Sequence, residues 1–133
     1  MTDLAGALQI AMDAALSAVD GLPPVASETP INGQDQVDYP FVLLGDDLVR
    51  QIGSKTKRLE RHEVSVHVCM QSTDKLTVRG NQELVRAALQ DQPLSAPGVK
   101  LSRPEAGEQT TTLLDDGSTY VGTQLFVILA QEG

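Results

Sequence analysis

The chain has 133 residues, so we expect residues 1–133 to form a single domain with its own hydrophobic core. Apolar residues make up 41% of it and aromatic residues only 3%, which argues against an aromatic-lined ligand pocket or a base-stacking surface. The formal net charge of -8 disfavours general binding to nucleic-acid phosphates. One cysteine, no signal-peptide pattern and no apolar run of membrane-spanning length predict a soluble, cytoplasmic protein without an internal disulfide.

The first predicted element is a helix that Thr2 and Asp3 can cap and that ends at Gly21. Its apolar residues recur on one narrow, alanine-rich stripe: Leu4, Leu8, Ala11, Ala15 and Val19. Three prolines and several polar residues make 22–38 a predicted loop, with one short edge strand near Val25 to Ser27.

Two strands follow, separated by a polar segment. Phe41 to Leu44 is a continuous apolar run, typical of a strand covered on both faces. From Val64 to Met70 apolar and polar residues alternate, which indicates a strand with one buried face. The segment at about 46–61 between them predicts a long basic loop, and connections of that length are often functional.

This basic segment carries a net charge of +4 over residues 50–61, while the remaining 17 acidic and five basic residues leave -12 elsewhere. It is either a solvated surface loop or a contact site for an acidic protein surface. We take as candidate partner contacts Arg50, Gln51, Ile52, Lys55, Lys57, Arg58 and Arg61.

A second helix is predicted after the possible caps Ser72, Thr73 and Asp74, ending before Pro93. Gly80 weakens it by about 1 kcal/mol relative to Ala, so its regular part is expected to start near Asn81. The residues expected to face inward are Leu76, Leu84, Ala87, Ala88 and Leu89.

The C-terminal part predicts β-structure. Val99 and Leu101 suggest a short strand, and Thr110 to Leu114 with Tyr120 to Ala130 make a hairpin around the turn at 115–118. Both faces of the last strand are apolar, yet two helices can cover only one face of a four- or five-stranded sheet. The second face therefore requires a folded-over sheet or neighbouring subunits. We take as candidate subunit-interface residues Phe126, Ile128 and Tyr120.

Candidate catalytic or metal-binding groups are few. His62 and His67 point to opposite faces of a strand because their separation is odd, and His67 with Cys69 lacks a third ligand. The pairs Asp46-Asp47 and Asp115-Asp116 stand beside glycine at predicted turns, where Asp is common. Because no phosphate-binding loop, nucleophile elbow or paired-cysteine motif is present, we expect no enzymatic activity, no metal and no cofactor. A small metal-dependent hydrolase and a cytosolic ligand-binding module remain less favoured alternatives.

The order of elements resembles the tail terminator, or tail completion, family of long-tailed phages and gene transfer agents. The resemblance covers residues 4–130 and depends on Leu8-Gln9 in the first helix, the segments 39–46 (YPFVLLGD), 62–68 (HEVSVHV) and 85–89 (VRAAL), and Phe126 in the last strand. Cys69-Met70 stand where we expect such sequences to carry an aromatic residue.

This resemblance implies an α+β fold with one mixed or antiparallel sheet of four to five strands packed against two helices, and a C-terminal β-hairpin. It also implies a homo-hexameric ring that stops the tail tube and joins tail to head, with the tail tube protein and a head-closure or adaptor protein as partners. The acidic remainder of the chain would let DNA pass through the channel of such a ring without specific binding. A head-closure or adaptor ring at the same junction is the alternative. The protein would assemble in the cytoplasm, without contacting a membrane, and become part of the particle.

Overall fold

A computed structural model describes residues 3–54, 56–71 and 74–133 of the chain. Two helices and six strands make up the described fold. In chain order they are α1 (Leu4–Ser17), β1 (Val25–Ala26), β2 (Phe41–Gln51), β3 (Leu59–Gln71), α2 (Lys75–Leu89), β4 (Val99–Leu101), β5 (Glu105–Leu113) and β6 (Thr119–Glu132).

All six strands belong to one mixed sheet. The short β1 pairs with β2 in parallel, and every other pairing is antiparallel. The long strands β3 and β6 pair over their full length, from Leu59 opposite Gln131 to Gln71 opposite Thr119. Along its other edge β6 pairs with β5 and, near its C-terminal end, with β4. The two long strands β3 and β6 thus form the centre of the sheet.

Both helices pack on the same face of the sheet. Asp3 caps α1 by accepting a hydrogen bond from the backbone N–H of Gly6 at 2.9 Å, and Asp74 caps α2 by accepting from Leu76 at 2.8 Å. Residues that alternate along β2, β3 and β6 meet the apolar stripes of the helices and form the core: Leu8, Met12, Leu16, Val42, Leu44, Val64, Val66, Val68, Val85, Leu89, Phe126 and Ile128.

The α+β class, the mixed sheet on two helices and the C-terminal hairpin of β5 and β6 confirm the fold prediction. The sheet has six strands rather than four or five. The inward stripe of α2 was predicted only in part: Leu89 is buried and Ala88 packs against the core, but Ala87 is exposed and Leu76 is 73% exposed. The buried residues of α2 are Val78, Gln82, Val85 and Leu89. These four residues are separated by four, three and four positions, as residues on one helix face are. The sequence pattern missed this stripe because one of its members is a glutamine, which is not apolar. Thr2, Ser72 and Thr73 lie outside the described residues.

Candidate functional site

The basic segment is mostly a β-hairpin and not a long loop. After an irregularity between Leu44 and Asp47, β2 continues to Gln51, which pairs with Glu60 of β3. Only residues 52–58 connect the two strands. The prediction of a loop over 46–61 was therefore wrong in its extent, because charged residues can occupy an exposed, paired strand as well as a loop.

The hairpin connection is closed tightly. The backbone N–H groups of Ile52 and Gly53 both donate to the carbonyl oxygen of Leu59, at 2.9 and 3.1 Å. A Cβ atom at Gly53 would overlap the carbonyl oxygen of Lys57 and the backbone nitrogen of Leu59, so this close approach requires glycine. The described ends of the connection, at residues 52–53 and 57–59, thus lie in fixed positions next to each other and can present side chains to a partner.

The structure distributes the predicted contact residues over two surfaces. Arg50 and Arg61 lie opposite each other in β2 and β3. Gln51, Ile52, Lys57 and Arg58 lie at or next to the hairpin connection, and Lys55 lies outside the described residues. The positive charge is partly balanced locally, because Arg58 lies 3.0 Å from Glu60 and 3.7 Å from Glu132, and Arg61 lies 3.6 Å from Glu63.

A buried histidine links the two strands at the base of this hairpin. His62 is fully buried, with Nδ1 2.9 Å from Oδ2 of Asp47 and Nε2 3.1 Å from Oε1 of Glu60. A protonated imidazole can donate to both carboxylates, whereas a neutral one can donate to only one. The group ties β2 to β3 just before the basic tip. The odd separation of His62 and His67 correctly predicted that the two histidines lie on opposite faces of β3.

His67 and Cys69 lie on the face opposite the helices. His67 Nδ1 lies 2.8 Å from the Thr123 hydroxyl, and burial lowers the pKa of His67 although Asp46 opposes this. Burial raises the pKa of the Cys69 thiol to about 11, so it is a poor nucleophile. Within the three described ranges, no group of three or more His, Cys, Asp or Glu is arranged to hold a metal ion.

The face of the sheet opposite the helices is open, and we call it the open face. It carries Leu125 and Val127, both half-buried, and Leu129, which is 38% exposed. Phe126 and Ile128, predicted as interface residues, are instead fully buried in the core, and Tyr120 is half-buried on that same side of β6. The apolar alternation predicted the two faces correctly, but the sequence could not show which one the helices would choose.

An open-face groove of about 530 Å³ lies near the root of the basic hairpin. Val127 and Leu129 line it together with Arg61, with Arg103 between β4 and β5, and with Glu105 at the start of β5. The groove thus combines apolar and charged groups, an arrangement that suits a protein partner.

Comparison with known proteins identifies the chain's relatives. The family model described as "Tail completion protein gp17" matches residues 9–130. The chain belongs to this family. It is therefore a structural, tail-related virion protein, consistent with the expectation of no catalytic activity. No curated protein sequence matches it.

The fold also matches a solved structure of the "Virion of native gene transfer agent (GTA) particle". The two chains superpose with a TM-score of 0.84 and 20% sequence identity, each covered over 100% of its length. At this identity the likeness concerns the fold. No helix in the described parts of the chain is long and apolar enough to cross a membrane.

Proposed function

We propose that this chain forms a ring, a homo-hexamer, that terminates the tail tube and joins the tail to the head in a phage or a gene-transfer-agent particle. The open face carries this proposal, because Leu125, Val127 and Leu129 lie side by side on it and apolar side chains left at a sheet surface favour contact with a partner. Membership of the tail completion family supports it. Neighbouring copies in a closed ring would cover the open face without leaving a growing end.

The tip of the basic hairpin contacts the acidic surface of a tail tube or adaptor protein. Ile52 is 46% exposed and Lys57 is exposed, so the tip offers both apolar and positive contacts. Arg50 and Arg61 lie on the open face and face a neighbouring copy. Within this proposal the basic segment serves two interfaces.

The acidic remainder of the chain suits a channel through which DNA passes. Outside residues 50–61 there are 17 acidic residues against five basic ones. If part of this surface lines the ring, it repels the phosphate backbone and prevents DNA from sticking. An assembled ring with a neutral or basic lumen would refute this assignment. The ring forms in the cytoplasm and then becomes part of the particle.

Electron microscopy of particles made without this chain tests the proposal. Termination predicts tail tubes of irregular, excessive length and heads without tails, both restored by the intact chain. Tubes of normal length with only the joining lost would favour a head-closure or adaptor ring instead. Complete, infectious particles in the absence of the chain would refute both functions.

The contribution of the hairpin tip is tested by Lys57→Glu, with Lys75→Glu in α2 as the matched charge reversal elsewhere on the surface. We expect Lys57→Glu to reduce the yield of joined particles while Lys75→Glu does not. Equal yields from both variants would show that the tip is merely solvated.

A further inference from the structure

We propose that the turn joining β5 to β6 in one copy binds in the open-face groove of the next copy. We call this segment, residues 113–118, the acidic turn. The inference rests on the proposed ring and names the two surfaces that meet at its subunit interface.

The acidic turn is both apolar and negatively charged. Leu113 and Leu114 are 46% and 41% exposed, and Asp115 and Asp116 follow them directly. Exposed leucines beside two carboxylates are typical of a segment that binds an apolar surface with positive charge around it.

The acidic turn is held in one conformation. Asp116 accepts hydrogen bonds from the backbone N–H groups of Ser118 and Thr119, both at 2.9 Å, and the N–H of Leu114 donates to the carbonyl oxygen of Thr119 at 2.8 Å. Gly117 has a φ of 76°, which favours glycine. A rigid turn loses little entropy on binding, which favours its use as a contact.

The open-face groove complements the turn in both respects. Val127 and Leu129 supply apolar surface, and Arg61 and Arg103 supply positive charge. Arg50 is the register partner of Arg61 across β2 and β3.

Two carboxylates lie in the same region, Glu105 lining the groove and Glu63 3.6 Å from Arg61. Counted over these five side chains, three arginines against two carboxylates give a net charge of +1. The negative charges of Asp115 and Asp116 are therefore attracted to these side chains.

The acidic turn cannot reach the groove of its own chain. Glu105 pairs with Val127 beside the groove, whereas Leu113 pairs with Tyr120 at the far end of β6. From Glu105 to Leu113, β5 spans roughly 25 Å at about 3.3 Å for each strand residue, and Asp115 lies beyond its end. The contact therefore joins two copies through unlike surfaces, and such a contact closes into a ring when its rotation permits.

Cysteine crosslinking tests this arrangement directly. In the double variant Glu105→Cys with Asp115→Cys, a disulfide needs Cα atoms within about 7 Å, so the two new thiols cannot bond within one chain. Mild oxidation should give a ladder of covalent multimers up to the full ring. Each single variant should stay monomeric on a denaturing gel. Cys69 adds little background because it is buried.

Charge exchange provides a second, independent readout. Arg61→Glu and Asp115→Lys should each raise the dissociation constant of the assembly at least about tenfold, because each places like charges together. The two changes combined in one chain should restore assembly. Glu83→Lys, an exposed carboxylate on α2, is the control and should leave the mass of the assembly unchanged.

The outcomes separate this inference from the ring itself. A ring seen by native mass spectrometry without a crosslinked ladder or charge rescue would overturn the turn-in-groove contact and leave the ring intact. Disulfide dimers of either single variant would show a two-fold contact and also overturn it. A chain that stays monomeric when concentrated and when mixed with its tail partners would overturn the proposed ring.

Discussion

Replacing His62 with leucine should destabilise the protein strongly, because its imidazole is the shared partner of two carboxylates. The side chain is fully buried and lies 2.9 Å from Asp47 and 3.1 Å from Glu60. Leucine fills similar space but donates no hydrogen bond. The change therefore leaves two acidic side chains close together without the hydrogen-bonding partner that they share.

The size of the loss in stability depends on which partners each carboxylate keeps once the imidazole is gone. Leaving a buried acceptor without its partner costs about 1–3 kcal/mol, and more for a charged group. Glu60 keeps Arg58 at 3.0 Å, and the Asp47 side chain is 27% exposed and can bind water, so each loss belongs at the low end of that range. We expect a total of about 2–3 kcal/mol, which for a domain of this size lowers Tm by roughly 6–12 °C.

Chemical and thermal denaturation followed by circular dichroism measure this change. The matched control is His67→Leu in the same strand, which removes one hydrogen bond to Thr123 and should cost about 1 kcal/mol or less. In a Glu60→Gln background the cost of His62→Leu should shrink, because one carboxylate is already neutral. If His62→Leu and His67→Leu cost the same, or if the cost is independent of Glu60, the described role of His62 is wrong.

Three further predictions concern the core, a close contact and pH. Phe126→Ala should lower the free energy of unfolding by about 3–5 kcal/mol in a urea titration, because the ring is fully buried; a loss below 1 kcal/mol would contradict its place in the core. Gly122→Ala should lower the free energy of unfolding by about 1–3 kcal/mol, because the new methyl group would overlap the side-chain amide of Gln82. Gly80→Ala meets open space within a helix and should raise the free energy of unfolding by about 0.5–1 kcal/mol. Equal effects of the two variants in denaturation would contradict this packing. The folded-state pKa of His67 lies below its ordinary 6.5, so the unfolded chain binds the proton more readily and the free energy of unfolding should fall as pH drops below about 6.5. His67→Gln should make this dependence of the free energy of unfolding on pH weaker. An unchanged pH dependence in the variant would contradict the prediction.

The basic hairpin shows where sequence reasoning works and where it stops. Alternation predicted the strand from Val64 onward, because one buried face forces a period of two. The same strand actually begins at Leu59, and β2 extends to Gln51. Those extensions bear charged side chains, and only pairing across the hairpin reveals them as strand.

The sequence by itself determined the class of the fold, the approximate position of both helices, the two apolar faces of the last strand and the resemblance to the tail completion family. Local propensity and periodicity are encoded in neighbouring residues, so one chain suffices to derive them. The tertiary structure decided which face the helices cover, and therefore that Phe126 and Ile128 belong to the core while Leu125, Val127 and Leu129 remain on the open face. It also decided that Asp47, Glu60 and His62 meet, and that Arg61 and Arg103 share one groove. These facts depend on contacts between residues distant in the chain, and only the packing of the whole domain brings such residues together.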